Sequence, residues 1–481
     1  MEQWSSRTGF LLAAIGSAVG IGNIWRFSAV VGQNGGGAYL IPYLSACILC
    51  AVPLMILEMA AGRAFQGDVV FVFRSVFRHG NILGWFICAV VFFILSYYLV
   101  ITGWTLAFVV FFAAGMPENF SAFTSSFQPV LFFIICALVT GVTVSLGVKG
   151  GIERASSILV PFIFLILIGM ALFATTLPGF DAGFTYFLSP DFSVLASPAI
   201  WSAALGQAFF SLSVGQGILI TYGAYAGTKI DLVRSAAIIT VFDISASLLA
   251  GLVIFPIVFS YGLSPSIGAE LAFVTLPKAF LVMPYGFLVA IAFFSLLFVA
   301  ALTSAISILE VNIAAFLGAT RFSRKRICAI LTLLVIIAGM PAALSYSAID
   351  LSVSGIRVLD LMDEIFGTMG LLVTAILTAL VLSWCAGRDR IRDEIGQRRT
   401  IGSLVMGVCR WVIPLLLTFA LAFRIATNAD FPDWHVLPGS PVFSTATLVV
   451  TGGIAIAILL LVITIVCRWK GDTCPWKQWL K

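Results

Sequence analysis

Two carboxylates, Asp243 and Glu58, stand deep inside apolar stretches of this chain. A charge in such surroundings is expensive and usually functional. Uncharged oxygen ligands recur in similar stretches: Asn23, Ser211, Ser213 and the adjacent pair Thr303 and Ser304. Serine and threonine alone would be unremarkable, because they bond back to carbonyls of their own helix. Combined with an amide and a carboxylate they form a hard-ligand set suited to a hard cation. His79 and His435 are the only histidines and no His or Cys cluster occurs, which argues against a transition metal.

The same region holds paired glycines. Ala18-Val-Gly-Ile-Gly22 and Ser213-Val-Gly-Gln-Gly217 share the form small-Val-Gly-x-Gly. Glycine destabilises a helix by about 1 kcal/mol relative to alanine, so each pair predicts an unwound segment. Unwound backbone in a bilayer is tolerated only where something polar satisfies it, and a bound ion or zwitterion can do so. Close helix packing is the other reading of these glycines; their matched depth in two spans favours a site.

The elements that would position these groups are transmembrane helices. Of 481 residues, 61% are hydrophobic and 10% charged, too little charge to cover a soluble surface. About twelve runs reach the roughly 20 residues that cross a ~30 Å hydrocarbon core. They are 9–32, 38–62, 81–114, 129–147, 154–177, 199–226, 234–262, 284–318, 327–346, 358–386, 404–425 and 442–467. The intervening segment 263–283, with Pro265, Gly268 and Pro277, predicts a re-entrant or capping hairpin. Lys and Arg gather in alternate loops (Arg63, Arg74, Lys149, Arg154, Lys229, Arg324) and in both terminal segments, whereas the opposite loops carry only Lys278, Arg357 and Arg424. By the positive-inside rule both termini are cytoplasmic, in a multi-pass protein of the cell membrane. Those loops account for the net charge of +5 without a nucleic-acid partner; the lipid bilayer is the partner expected. The first run lacks a small-residue cleavage site and reads as a retained helix. Cys47 and Cys50 form a C-x-x-C pair read as packing, and Asn119-Phe-Ser121 reads as a chance sequon.

The fold class expected is therefore an all-α membrane protein, with a single transmembrane domain over 1–467 and a cytoplasmic tail at 468–481. The first and sixth spans run in opposite directions. Segments 9–177 and 199–386 would then form a 5+5 inverted repeat, unwound at mid-membrane in spans 1 and 6. Spans 404–425 and 442–467 are additional.

Several motifs together resemble the neurotransmitter:sodium symporter family. They are Trp4-x-x-Arg7-x-Gly9, Gly20-Ile-Gly-Asn-Ile-Trp-Arg-Phe27, Asn34-Gly-Gly-Gly-Ala38, Ile41-Pro-Tyr43, Pro53-Leu54 with Glu58-x-x-x-Gly62-Arg63, Gln207-Ala-Phe-Phe-Ser-Leu-Ser213 and Leu302-Thr-Ser304. The resemblance runs in order through the first ten spans and continues more weakly to the end. It implies two sodium sites. The first would use the Ala18 carbonyl, Asn23, Ser211 and Asp243, completed by the substrate carboxylate. The second would use the carbonyls of Gly16, Val19 and Ala300 with the hydroxyls of Thr303 and Ser304. The substrate would lie against the break at Ala18, Gly20, Ile21 and Gly22, with Tyr98, or Tyr97 in the rival register, bonded to its carboxylate. Ile94, Phe210, Ser213 and Ile308 would surround its side chain. The outer gate implied is Arg26 facing Asp363, with Asp360 one turn earlier as a weaker partner and Phe210 as a lid. Glu58 would accept free amides of the unwound sixth span.

Some departures from the family pattern matter. Many bacterial relatives close the inner side with an Arg just before the tryptophan motif and an Asp at the end of span 8. Met1 and the stretch Phe316-Leu-Gly318 stand there instead, which leaves Trp4, Tyr225 and Glu310 as candidates for the inner gate. Gly20 stands where monoamine carriers have an Asp, which implies a substrate that brings its own carboxylate. Animal members bind chloride through residues resembling Tyr43, Gln207, Ser211 and Ser247, with an Asn at the position of Asp243; a fixed carboxylate there implies that chloride is not required. The function expected is sodium-coupled symport of a neutral, hydrophobic or aromatic L-amino acid by alternating access, without enzyme activity. Its rivals are proton-coupled uptake on the same fold and a membrane amino-acid sensor that does not transport.

Overall fold

Lipid offers a backbone no hydrogen bonds, so a long apolar run must satisfy itself as a helix. The computed structural model describes residues 2–427 apart from 77–78, 118, 190–191, 265–270, 354, 387 and 396–398. Among the described residues nine helices are long and apolar enough to cross a membrane, or ten with one bent pair. The expected span 442–467 and the tail 468–481 lie outside the described residues, as does part of the expected hairpin.

The bent pair is the first span. Helix α1 (Arg7–Ala18) is capped by Ser6, whose Oγ accepts the Gly9 N–H at 3.0 Å. Val19 is extended at φ −75° and ψ 100° and ends the helix. A π-helical turn, Gly22–Arg26, then leads into α2 (Phe27–Gln33), and the halves of the span are bent by 51°. The second span is α3 (Leu40–Ala46) and α4 (Val52–Phe65), joined by a π-helical turn that buries Cys47 and Cys50. Then come α5 (Gly80–Ala113), α6 (Gln128–Ser145) and α7 (Arg154–Ala174).

The sixth expected span is also interrupted, between α8 (Pro198–Ser211) and α9 (Ile218–Ala224). The connection turns through Ser213 at φ 53°, Gly215 at φ 82° and Gly217 at φ 73°. These are left-handed conformations, which glycine adopts without steric penalty. The chain continues as α10 (Leu232–Ser260), α11 (Leu276–Val282), α12 (Gly286–Ala319) and α13 (Arg324–Ser345). The tenth span is α14 (Val358–Met362), a π-helical stretch Asp363–Gly370 and α15 (Leu371–Trp384). The last described helix is α16 (Ile413–Thr427).

Helices α5 and α12 lie alongside each other, and α1 packs against α7 and α12. Leucines such as Leu131 and Leu138 on α6, Leu165 and Leu172 on α7 and Leu333 on α13 remain exposed. Apolar residues in such numbers on outward faces suit lipid rather than water. In the described part of the expected hairpin, Phe273 sets its ring 5.5 Å from Trp25 and 5.6 Å from Trp104. Asn119, of the chance sequon, caps a short helix by accepting the Ser121 N–H.

Candidate functional site

The interruptions of the first and sixth spans meet at a small cavity of about 20 Å³. Ala18, Gly20, Gly22, Ile94, Tyr98, Phe210, Ser211, Ser213 and Ile308, all expected around a substrate, line it. Ile21 lines instead the larger adjoining cavity of about 300 Å³ on the Arg26 side. Tyr98 faces both cavities, whereas Tyr97 lines only the larger one, so the geometry favours the Tyr98 register. Gly20 leaves room that no other residue would leave: a Cβ there would lie 2.8 Å from Ser304 Oγ and 3.2 Å from Tyr98 Oη.

One polar cluster forms beside the first break. Asn23 directs its Nδ2 to Ser211 Oγ at 2.8 Å, Asp243 Oδ1 at 2.6 Å and Ser247 Oγ at 3.0 Å. Ser211 Oγ donates to Asp243 Oδ1 at 2.8 Å, and Asn23 Oδ1 accepts the Gly20 N–H at 2.9 Å. All of these side chains are buried. Three separate elements thus bring an amide, a hydroxyl and a carboxylate together beside the cavity, with Asn23 presenting its nitrogen. The oxygens of Ser211 and Asp243, joined by the Asn23 amide oxygen after a half-turn, are the hard ligands that suit a hard cation. Tyr43 Oη stands 3.4 Å from Asp243 Oδ2 and 3.3 Å from Ser247 Oγ. Gln207 points elsewhere, its Nε2 donating to the Gly22 carbonyl at 2.9 Å.

A second cluster joins α1 to α12. Thr303 Oγ1 bonds to the Ala300 carbonyl at 3.0 Å, and Ser304 Oγ reaches the carbonyls of Ala300 at 3.2 Å and Gly16 at 3.4 Å. A Cβ on Gly16 would lie 3.3 Å from Thr303 Cβ, which shows how closely the two helices approach there. Val19, the remaining expected member, is the extended residue that ends α1, so its carbonyl leaves the helical pattern.

Around these clusters lie the expected gates. Glu58 Oε1 accepts the Gly215 N–H at 2.7 Å, so α4 does supply an acceptor to the interrupted sixth span, for one amide. Arg26 and Asp363 line the larger cavity together, but no ion pair joins them among the described residues. The Arg26 guanidinium lies instead 4.6 Å from the centre of the Phe210 ring. Asp360 is taken by Tyr346, whose Oη donates at 3.1 Å.

On the Trp4 side a charged cluster forms through residues other than the usual pair. Arg324 grips Glu310 with both Nη atoms at 2.7 Å, and its Nε lies 2.9 Å from Glu2 Oε1. Tyr225 Oη donates to Glu310 Oε1 at 2.8 Å, and the Trp4 indole donates to the Tyr222 carbonyl at 3.1 Å. Ser5 donates its N–H to Glu153 Oε2 at 2.9 Å, which ties the N-terminal segment to the foot of α7. Sequence reasoning named Trp4, Tyr225 and Glu310 here but missed Glu2, Arg324 and Glu153. Charges at helix ends ordinarily face water, so no local signal distinguished these three. Gln216 also lines the small cavity and was missed, because it occupied the variable position of the glycine motif.

The chain is similar to known proteins along nearly its whole length. A solved structure described as MhsT in complex with L-phenylalanine matches with a TM-score of 0.81 at 37% identity, covering 88% of this chain and 99% of that one. An uncharacterized sodium-dependent transporter of Methanocaldococcus jannaschii is 33% identical across 98% of both chains. The sodium-dependent serotonin transporter of Drosophila melanogaster is 25% identical, over 93% of this chain and 81% of its own. The profile of the sodium:neurotransmitter symporter family matches residues 1–120 and 121–470. With nearly the whole chain matched, this protein belongs to the sodium:neurotransmitter symporter family.

Proposed function

We propose that the chain is a sodium-coupled symporter that carries a neutral L-amino acid into the cell without chloride. The meeting of Asn23 and Ser211, which line the cavity between two interrupted spans, with the buried carboxylate of Asp243 behind them carries this reading. A cation held there would touch the substrate's own carboxylate, and that contact couples the two. The Thr303–Ser304 cluster supplies a second sodium site. Residues lining the small cavity include no Asp, Glu, Lys or Arg, so a charged substrate side chain would be buried without a counter-ion, which is costly. Apolar walls of Ile94, Phe210 and Ile308 suit a hydrophobic or aromatic side-chain body. MhsT holding L-phenylalanine supports an amino acid as the cargo.

In this reading the interrupted spans are counterparts in an inverted repeat of a twelve-span bundle in the cell membrane, with both termini in the cytoplasm. Two sodium ions moving with a zwitterion would add roughly 4.6 kcal/mol at 100 mV, more than a thousandfold in accumulation. Purified protein in liposomes tests the reading. An inward sodium gradient should drive accumulation of a neutral amino acid. Accumulation driven by a proton gradient alone would select the proton-coupled alternative, and sodium-dependent binding without accumulation would select the sensor.

A further inference from the structure

The small cavity contains polar groups that neither sodium nor the substrate's carboxylate accounts for. Gln216 sits in the interruption of the sixth span, between Gly215 and Gly217. It is 4% exposed and lines the cavity, and its Oε1 is buried with no hydrogen-bond partner among the described residues. Ser17 lines the same cavity, and its hydroxyl is likewise buried and without a partner. Neighbouring groups are already committed. Ser213 Oγ donates to the Ser17 carbonyl at 2.9 Å, and the Gly215 N–H is held by Glu58. Native proteins pair nearly all buried polar atoms, and an exception calls for an explanation. A buried amide facing a binding cavity is explained if the ligand completes it.

Charge does not complete it, since no charged side chain lines the cavity. A carboxamide offers a carbonyl acceptor and an NH₂ donor, and it exchanges them by a half-turn of its last torsion. Its natural counterpart is an uncharged hydroxyl or amide. The geometry points to Gln216 as the residue that selects the substrate side chain: the transported amino acid carries an uncharged hydrogen-bonding group on an otherwise apolar side chain, and that group pairs with the Gln216 amide. This rests on the reading of the cavity as the amino-acid site. Sites built to hydrogen-bond a substrate group reject the analogue that lacks it far more strongly than apolar pockets distinguish by size, because the site's own polar group is then stranded.

Competition binding in sodium-containing buffer, with matched pairs, tests this on the unaltered protein. The pairs are tyrosine against phenylalanine, threonine against valine and glutamine against methionine. The polar member of at least one pair should bind roughly tenfold or more tightly than its partner. Gln216→Met, close in length but unable to hydrogen-bond well, should erase that preference, so that the two members of the pair bind alike. Equal or tighter binding of the apolar member in all three pairs would overturn the assignment and leave sodium-coupled amino-acid transport standing. A polar preference that survives in Gln216→Met would also overturn it. Absence of sodium-dependent binding of every amino acid would instead remove the reading on which it rests.

Discussion

Asp243 is a single carboxylate whose surroundings decide which ions this protein can use. Ser211 donates to both of its oxygens, at 2.8 and 3.0 Å, and Tyr43 and Ser247 crowd the same place. A chloride among those hydroxyls would face a fixed negative charge. Two unit charges about 4 Å apart repel by roughly 4 kcal/mol at an effective dielectric near 20. Replacing chloride with gluconate should therefore leave uptake unchanged, while Asp243→Asn should acquire chloride dependence or lose activity. Strict chloride dependence of the natural protein would sink this assignment. Thr303 and Ser304 allow a second test at the same scale. Thr303→Val keeps the shape and removes one oxygen; Ser304→Ala removes the other. A lost ligand to an ion costs about 1–3 kcal/mol, so the sodium concentration for half-maximal binding should rise about five- to a hundredfold in either variant. Wild-type sodium affinity in both would show that the second cluster holds helices together rather than an ion.

Elements matter here chiefly where they stop being regular. The Gly215 N–H, released by the interruption of the sixth span, is bonded to Glu58 on α4. Glu58→Leu should strand it in the interior and destabilise the protein by about 1–3 kcal/mol, seen as an earlier thermal transition in detergent and weaker substrate binding. Glu58→Gln keeps an acceptor oxygen and should retain most of both. An unchanged transition in Glu58→Leu would mean that the amide has another acceptor. The sequence exposed these interruptions because polar residues and glycine pairs stand out against apolar runs. The spans were legible for the same reason, with Gly80–Ala113 and Gly286–Ala319 falling within a few residues of 81–114 and 284–318. The π-helical stretch Asp363–Gly370 was not, since one extra residue per turn leaves an apolar pattern almost unaltered. Nor was Gln216: composition shows that an amide is present, and only packing shows that no described residue bonds to its oxygen.

At the scale of the whole molecule, the two sides are held by different contacts, the larger cavity on the Arg26 side carrying an Arg424–Glu364 ion pair at 3.1 Å. On the Arg26 side, Arg26 and Asp363 share an accessible cavity of about 300 Å³ without pairing. On the Trp4 side, Glu2, Arg324, Glu310 and Tyr225 form one network that ties the N-terminal segment and the chain just after α9 to α12 and α13. In the proposed transport cycle that network opens when the other side closes. Glu310 is fully buried, and Arg324 is its ion-pair partner. Removing one partner of a buried pair costs about 3–5 kcal/mol, because the remaining charge is stranded. Hydration on opening would relieve that charge, so Arg324→Ala should shift the balance toward an inner-open state by about a hundredfold or more. The shift can be read at Ser307, which lies above the network on α12 and accepts from or donates to Tyr222 Oη at 2.7 Å. In a background without native cysteines, Ser307→Cys should be labelled from the cytoplasmic side at least roughly tenfold faster when Arg324→Ala is added. Adding Glu310→Gln as well should slow the labelling again, because no stranded charge is then left to hydrate. Unchanged labelling in the Arg324→Ala protein would show that the network anchors helices without gating them, and would return the inner gate to Trp4 and its bond to the Tyr222 carbonyl.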